Sequence, residues 1–173
     1  MISIISGKYR GRKLFDVKNL HVRPTQAKVR KSLFQILEPI ENLEVLDLYA
    51  GMGTLGIEAL SRGASKVVFV EKNRKVFKVL KKNINLFDPG KSYVVLEDAN
   101  TYLKRVKNHI FDIVLVDPPY SEVNFENIHK ATKHFLKPGG ILCVEMKRES
   151  INQENVRIKY YGSTQIVFWR NVV

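Results

Sequence analysis

A chain of 173 residues with 45% hydrophobic side chains can bury one core and leaves little room for a second domain. No apolar run approaches the roughly 20 residues of a membrane span, the start MISIISGKYRGR is too short in apolar residues for a secretory signal, and a single cysteine, Cys143, excludes an internal disulfide. Lys and Arg number 29 against 17 acids, a formal net charge of +12.

The charge is unevenly placed. Residues 1–31 hold Lys8, Arg10, Arg12, Lys13, Lys18, Arg23, Lys28, Arg30 and Lys31 against Asp16 alone, nine bases to one acid, so +8 of the +12 sits here. Such a concentration is the electrostatic footprint of a polyanion partner; a solvated basic arm is the alternative. An acidic membrane surface is disfavoured, because no lipid-facing amphipathic helix accompanies the charge.

In chain order, IISGKYRGRKL has two strand-like pieces around Gly7 and Gly11 and predicts a small basic hairpin. Pro24 and Thr25 open a helix with Val29, Leu33, Ile36 and Leu37 on one face. EVLDLYA (44–50) reads as a strand, LGIEALSR (55–62) as a helix stopped by Gly63, and KVVFVE (66–71) as a strand. A long amphipathic helix follows through Val76, Val79, Leu80 and Asn83. Strand SYVVLE (92–97), a short helix near 100–106 and strand FDIVLV (111–116) repeat the alternation. Residues 124–136 read as a helix, Lys137-Pro138-Gly139-Gly140 as a turn and 141–146 as a strand, with Cys143 a core thiol in ILCV. VRIKYYG and TQIVFWR close the chain as an antiparallel pair around Gly162.

Strands alternating with helices imply an α/β fold, a mostly parallel central sheet with helices on both faces. The closing antiparallel hairpin departs from a plain Rossmann order. Residues 1–24 read as a basic extension packed on one domain, 25–173.

Ligands of such folds bind beyond the carboxyl ends of the strands. Here those ends deliver Asp47 to Gly53, Glu71, Asp98 and Asp117 to Tyr120. The loop Gly51-Met52-Gly53-Thr54-Leu55-Gly56 fits G-x-G-x-x-G, and Glu71 follows Gly51 by 20 residues, the spacing of a dinucleotide fingerprint. Asp47, four residues before Gly51, argues against a pyrophosphate and for a cationic amino group. Asp98 suits the exocyclic amine of an adenine. S-adenosylmethionine has the matching parts: Asp47 would hold its amino group, Glu71 its ribose hydroxyls and Asp98 its adenine, the glycines allowing close backbone approach. A dinucleotide is the lesser alternative. The reaction needs no metal, and the four histidines show no metal-ligand spacing.

D-L-Y-A-G-M-G, V-E-K, E-D-A and D-P-P-Y, in this order, resemble the class I methyltransferase pattern, which implies a Rossmann-like class I methyltransferase fold. Most of the chain resembles the RsmD-type small-subunit (16S) ribosomal RNA guanine-N2 methyltransferases. The matching pieces are residues 4–14, R-P-T-x-x-x-V-R-x-S-L-F (23–34), the first loop with L-G-I-E-A-L-S-R-G-A (55–64), D-P-P-Y (117–120) and Y-G-S-T-Q-I (161–166). The resemblance implies cofactor binding by Asp47, Tyr49, Gly51, Gly53, Glu71, Asp98 and Ala99. The family's loop usually has a small residue at Met52 and Phe at Tyr49, so Met52 is expected to narrow the cofactor mouth.

The D-P-P-Y turn gains a chemical reading from this. An amine conjugated to a base is a poor nucleophile, because its lone pair is delocalised into the ring. The Asp117 carboxylate and the Pro118 carbonyl would each accept one N–H, favour a tetrahedral nitrogen and aim its lone pair at the methyl group. Asp117 would also take up the released proton, and Tyr120 would stack on a flipped base. Lys8, Tyr9, Arg10, Arg12 and Lys13 would grip RNA phosphates and position the target over the cleft, and Arg23 and Thr25 would line its mouth. Ser121 reads as turn chemistry and Trp169 as packing. The expected partner is small-subunit ribosomal RNA or an assembling subunit, met by a cytoplasmic monomer. A DNA adenine or cytosine amino-methyltransferase and a non-catalytic RNA-binding assembly factor remain as alternatives.

Overall fold

Runs of β-branched residues between Lys66 and Glu71 and between Phe111 and Val116 cannot be half-solvated, and they form the middle of a sheet. The computed structural model describes residues 2–17, 25–119 and 124–173; Arg23, Pro24, Tyr120 and Ser121 lie outside the described residues, as does the domain boundary expected after residue 24. The strands are β1 (Glu44–Asp47), β2 (Lys66–Glu71), β3 (Ser92–Leu96), β4 (Phe111–Val116), β5 (Leu136–Lys147), β6 (Val156–Tyr161) and β7 (Thr164–Arg170). They form one sheet in the order β3-β2-β1-β4-β5-β7-β6. The first five are parallel, and β7 runs antiparallel between β5 and β6. The expected fold class is therefore observed, closing hairpin included. Strand order reverses between β1 and β4, where such sheets bind ligands.

Successive strand residues alternate between two cores. Val45, Val67, Phe69, Ile113 and Leu115 face α1 (Ala27–Leu37), α2 (Thr54–Ser61) and α3 (Arg74–Phe87). Leu46, Val68, Val70, Val114 and Val116 face α4 (Ala99–Arg105) and α5 (Phe125–Thr132). Among the described residues no helix is long and apolar enough to cross a membrane. Cys143 lies 2% exposed in the first core, where burial pushes its thiol well up, and Trp169 packs edge-on against His129 at 4.3 Å.

Three expectations need correction. The first helix starts at Ala27, not Thr25, because Gln26 keeps an extended ψ of 145°. Its buried face includes Arg30 and Phe34 rather than Ile36. The Arg30 guanidinium donates to the carbonyls of Thr25 (3.2 Å) and Ser3 (2.7 Å), which rotates the buried stripe. Residues 137–140 form an excursion inside β5: Phe111 pairs with Leu136 but Ile113 already pairs with Ile141, and Gly139 takes φ +79°. The N-terminal hairpin is narrower than expected. Its one bridge joins Ser3 and Lys13, and Gly11 N–H donates to Ile4 O at 2.9 Å.

The third glycine of the first loop has a packing reason. A Cβ on Gly56 would lie 2.2 Å from the Phe69 ring, and Phe69 is 0% exposed. Gly56→Ala is expected to cost about 1–3 kcal/mol, the usual range for overpacking a filled core. A thermal unfolding curve checks this, and an unchanged midpoint would refute it.

Candidate active site

The loop after β1 is shaped by two carboxylates from behind. Ala50 N–H donates to Val70 O (3.0 Å), which ties the loop to β2. Gly51 (φ +55°) and Gly53 (φ +89°) then turn the chain into α2 through left-handed conformations that favour glycine. The Gly51 amide donates to Glu71 Oε2 at 3.0 Å, and the Gly56 amide to Asp47 Oδ2 at 3.0 Å. A dinucleotide loop needs its amides free to cradle phosphate. Here two of them already serve anions, so the loop presents acids where a phosphate site would present donors.

Asp47, at the strand end, is 1% exposed and lies beneath the loop. Burial pushes its carboxyl up to about 7, against the pull of the Gly56 hydrogen bond, and the charge of Glu71 adds to the rise. Met52 is displaced from its expected role. It is 2% exposed with its carbonyl accepting from Asn83 Nδ2 (2.9 Å), so it fills core rather than narrowing the mouth.

The cleft occupies about 690 Å³ at the β1/β4 switch point, ample for a nucleoside-sized ligand. One wall holds Tyr49, Gly51, Glu71 and Asn73, the last capping α3 through bonds from Lys75 N and Val76 N. Glu71 Oε1 also accepts from Asn73 N (2.7 Å), which leaves the carboxylate oxygens further lone pairs for a diol. Glu97 and Ala99 line the next stretch. Asp98 between them instead caps α4, its Oδ1 accepting from Asn100 N (2.9 Å) and Thr101 N (3.4 Å). Asp98 and Gly53 are not cleft-lining residues, a departure from the sequence reading.

The opposite wall is built from Asp117, Pro118 and Pro119 at the end of β4. Asp117 Oδ2 accepts from Thr25 Oγ1 at 2.8 Å, a contact between residues 92 positions apart. Val116 pairs with Val144, so Glu145, the next residue of β5, comes beside Asp117, 6% exposed and in the same wall. Burial first, and then the charge of Glu145, push Asp117 up to about 7; the Thr25 hydroxyl opposes this and Asp47 adds to it. The β6–β7 turn, Tyr161 to Thr164, closes the mouth with Lys28, and the Tyr161 hydroxyl bonds Ser32 Oγ on α1.

The basic hairpin lies elsewhere. α2 and α3 leave the cleft edge at Gly53 and Asn73 and run away from it. The hairpin tip docks on their far ends: Lys8 N–H donates to Ser61 O (2.8 Å), Tyr9 Oη to Phe87 O (2.7 Å) and Arg12 Nη2 to Leu86 O (2.9 Å). Lys8 Nζ pairs with Asp88 at 2.7 Å, and the Tyr9 ring packs edge-on against Phe87. At 1.5 Å per residue the 14 residues of α3 put this tip about 20 Å from the cleft. Lys8 to Lys13 therefore stand apart from the cleft over which they are expected to position the target. Donors at the ends of two helices, where carbonyls lack partners, explain the docking, and at α3 the Arg12 guanidinium adds a favourable charge. Arg10 and Lys13 stay exposed.

The family described as conserved hypothetical protein 95 matches residues 2–170. The chain belongs to this family. Ribosomal RNA small subunit methyltransferase D of Haemophilus influenzae is 36% identical over 180 residues, spanning 98% of this chain and 92% of its own length. The protein of that name in Escherichia coli K12 is 42% identical over 120 residues, 69% of this chain and 60% of its own. Among solved structures, yhhF of Escherichia coli, described as a candidate methyltransferase, has a TM-score of 0.87 at 34% identity over 98% of this chain and 97% of that one. The RsmD-type resemblance is thus borne out, and this member of the family is a methyltransferase.

Several cleft residues of this family member escaped the sequence reading. Glu145 had a signal, an acid inside the apolar run ILCVEM. The Tyr161–Thr164 turn was quoted only as a point of resemblance. Glu97 stood in the quoted E-D-A and Lys28 in the basic segment without a cleft role, and Asn73 carried no signal, because only the fold brings them to one cleft.

Proposed function

We propose that this protein methylates the exocyclic N2 amine of a guanine in small-subunit ribosomal RNA, as a cytoplasmic monomer acting on the RNA or on an assembling subunit. The observation that carries the reading is a half-buried carboxylate, Asp117, held by Thr25 on a rigid proline turn in the cleft wall. The names of the relatives support the substrate class.

S-adenosylmethionine fits the acid-lined loop, and when bound it supplies an electrophilic methyl group on a sulfonium. Glu71 would hold the ribose diol, Tyr49, Gly51 and Ala99 would form the contact surface, and Asp98, capping α4 behind Ala99, would reach the adenine only through its second oxygen. Asp47, beneath the loop, keeps Gly56 and the turn in place. On the other wall, Asp117 and the Pro118 carbonyl accept the two N–H groups of the target amine, so that its lone pair points into the cleft. With the N–C bond forming as the S–CH₃ bond breaks and its electron pair stays on sulfur, Asp117 would offset the charge growing on nitrogen and take its proton. Pro118 and Pro119 fix the turn, so little reorganisation accompanies this step. Tyr120 would stack on the base and Arg23 would bind the RNA; Thr25 acts by orienting Asp117.

Nucleoside mass spectrometry tests the reading. Unmodified small-subunit particles, and separately their naked RNA, are incubated with protein and S-adenosylmethionine, then digested. New N2-methylguanosine is expected. A methylated adenosine or cytidine, or no product, would overturn the assignment.

A further inference from the structure

Residues 72–87 contain Lys72, Arg74, Lys75, Lys78, Lys81 and Lys82 and no acid. At 100° per residue the five helical ones fall within an arc of about 120°. That arc lies opposite the buried face of Val76, Leu80, Asn83, Ile84 and Phe87. All six are exposed.

An ordinary solvated helix face interleaves signs, because i,i+4 pairs of opposite charge stabilise it and like pairs do the reverse. Here Arg74 and Lys78, and Lys78 and Lys82, are like-charge i,i+4 pairs. Arg74 and Lys75 stand in the first turn, where the helix dipole disfavours cations, and no acid accompanies them. No ion pair among the described residues involves any of the six. The arrangement opposes helix stability at each point and is consistent only in sign.

The stripe also has two meaningful ends. Lys72 lines the cleft at one. At the other, Arg12 and Lys8 dock on Leu86 and Asp88, with Arg10 and Lys13 exposed beside them. We propose that the exposed face of α3 is an RNA-docking track, along which a strand's phosphates run from the hairpin tip to the cleft. Its length of about 20 Å spans several consecutive phosphates of a strand. The track gives the distant hairpin a role that its placement otherwise denies it. The inference rests on the RNA reading above and adds the surface that reading lacks.

The test compares Lys78→Gln/Lys81→Gln/Lys82→Gln with a charge-matched control, Lys104→Gln/Lys107→Gln/Lys133→Gln, on the other side of the sheet. Binding of naked small-subunit RNA is measured against salt by fluorescence anisotropy, and methyl transfer, S-adenosylhomocysteine binding and thermal unfolding are measured beside it. For the track variant, the slope of log K against log salt should fall by about 2 to 3. KM for RNA should rise at least tenfold, with kcat at saturating RNA within twofold and cofactor binding unchanged. The control should stay near the wild type. An unchanged slope and KM in the track variant, or an equal loss in the control, would overturn the track. So would wild-type binding to anionic lipid vesicles in preference to RNA. Wild-type protein that binds RNA through this stripe but does not methylate it would support the track and refute the proposed activity.

Discussion

Asp117→Asn is expected to lower methyl transfer by about 10²–10³-fold or more, the cost of losing one preorganised electrostatic group, while S-adenosylhomocysteine still binds. The amide keeps one acceptor oxygen but lacks the charge that offsets a developing cation and cannot take a proton. Single-turnover transfer and calorimetry check the two halves; retained turnover would refute the role. The pH dependence follows from the same group. Burial and Glu145 push Asp117 up from 3.8 to about 7, and it works only when ionised, so kcat/KM should rise with pH through that region. Glu145→Gln should move the rising limb to lower pH. Thr25→Val, which removes a hydrogen bond favouring the anion, should move it higher. Stability has the opposite sign. Asp47 and Asp117 both titrate higher folded than unfolded, so their contribution is fully present below about 3.8 and is lost as pH rises through 7. The unliganded protein should therefore soften over that window, and a bound cation should restore it.

Glu58→Ala should be the most destabilising single change outside the site. Glu58 is 0% exposed, and its oxygens accept from Ile5 N (2.9 Å), Ser6 N (3.0 Å) and Arg62 Nε (2.9 Å). Truncation leaves the Ile5 and Ser6 amides without their acceptor and takes from the Arg62 guanidinium its buried carboxylate, leaving it only Glu38 at the surface. Breaking a buried pair in this way costs about 3–5 kcal/mol, a large part of the 5–15 kcal/mol that stabilises a domain. Urea unfolding measures it, and rapid amide exchange at Ile5 and Ser6 would show the hairpin released. A loss under about 1 kcal/mol would refute the account.

Glu58 also shows where sequence reading stops. Within LGIEALSR it looks like a solvated helix acid, and only the docked hairpin makes it interior. Strands β2 and β4 emerged at their expected bounds, because uninterrupted β-branched runs leave few alternatives. The start of α1 did not, since Thr25 is drawn to a partner 92 positions away. Asp47 and Asp117 were both legible as strand-end acids. Which of them faces the cleft depended on the Gly56 amide, a detail set by how α2 seats on Phe69. The α3 stripe was legible in principle, but counting charge over 142 residues averaged it against acids on other faces.

The engagement of the Gly51 and Gly56 amides bears on competition inside a cell. Adenine occurs there overwhelmingly attached to phosphates, in nucleotides far more abundant than any methyl donor. A first loop with open amides would be occupied by those molecules most of the time. Here a triphosphate or pyrophosphate tail meets the Glu71 carboxylate and two amides already engaged, so the cleft screens out the crowd before affinity for the rest of the molecule matters.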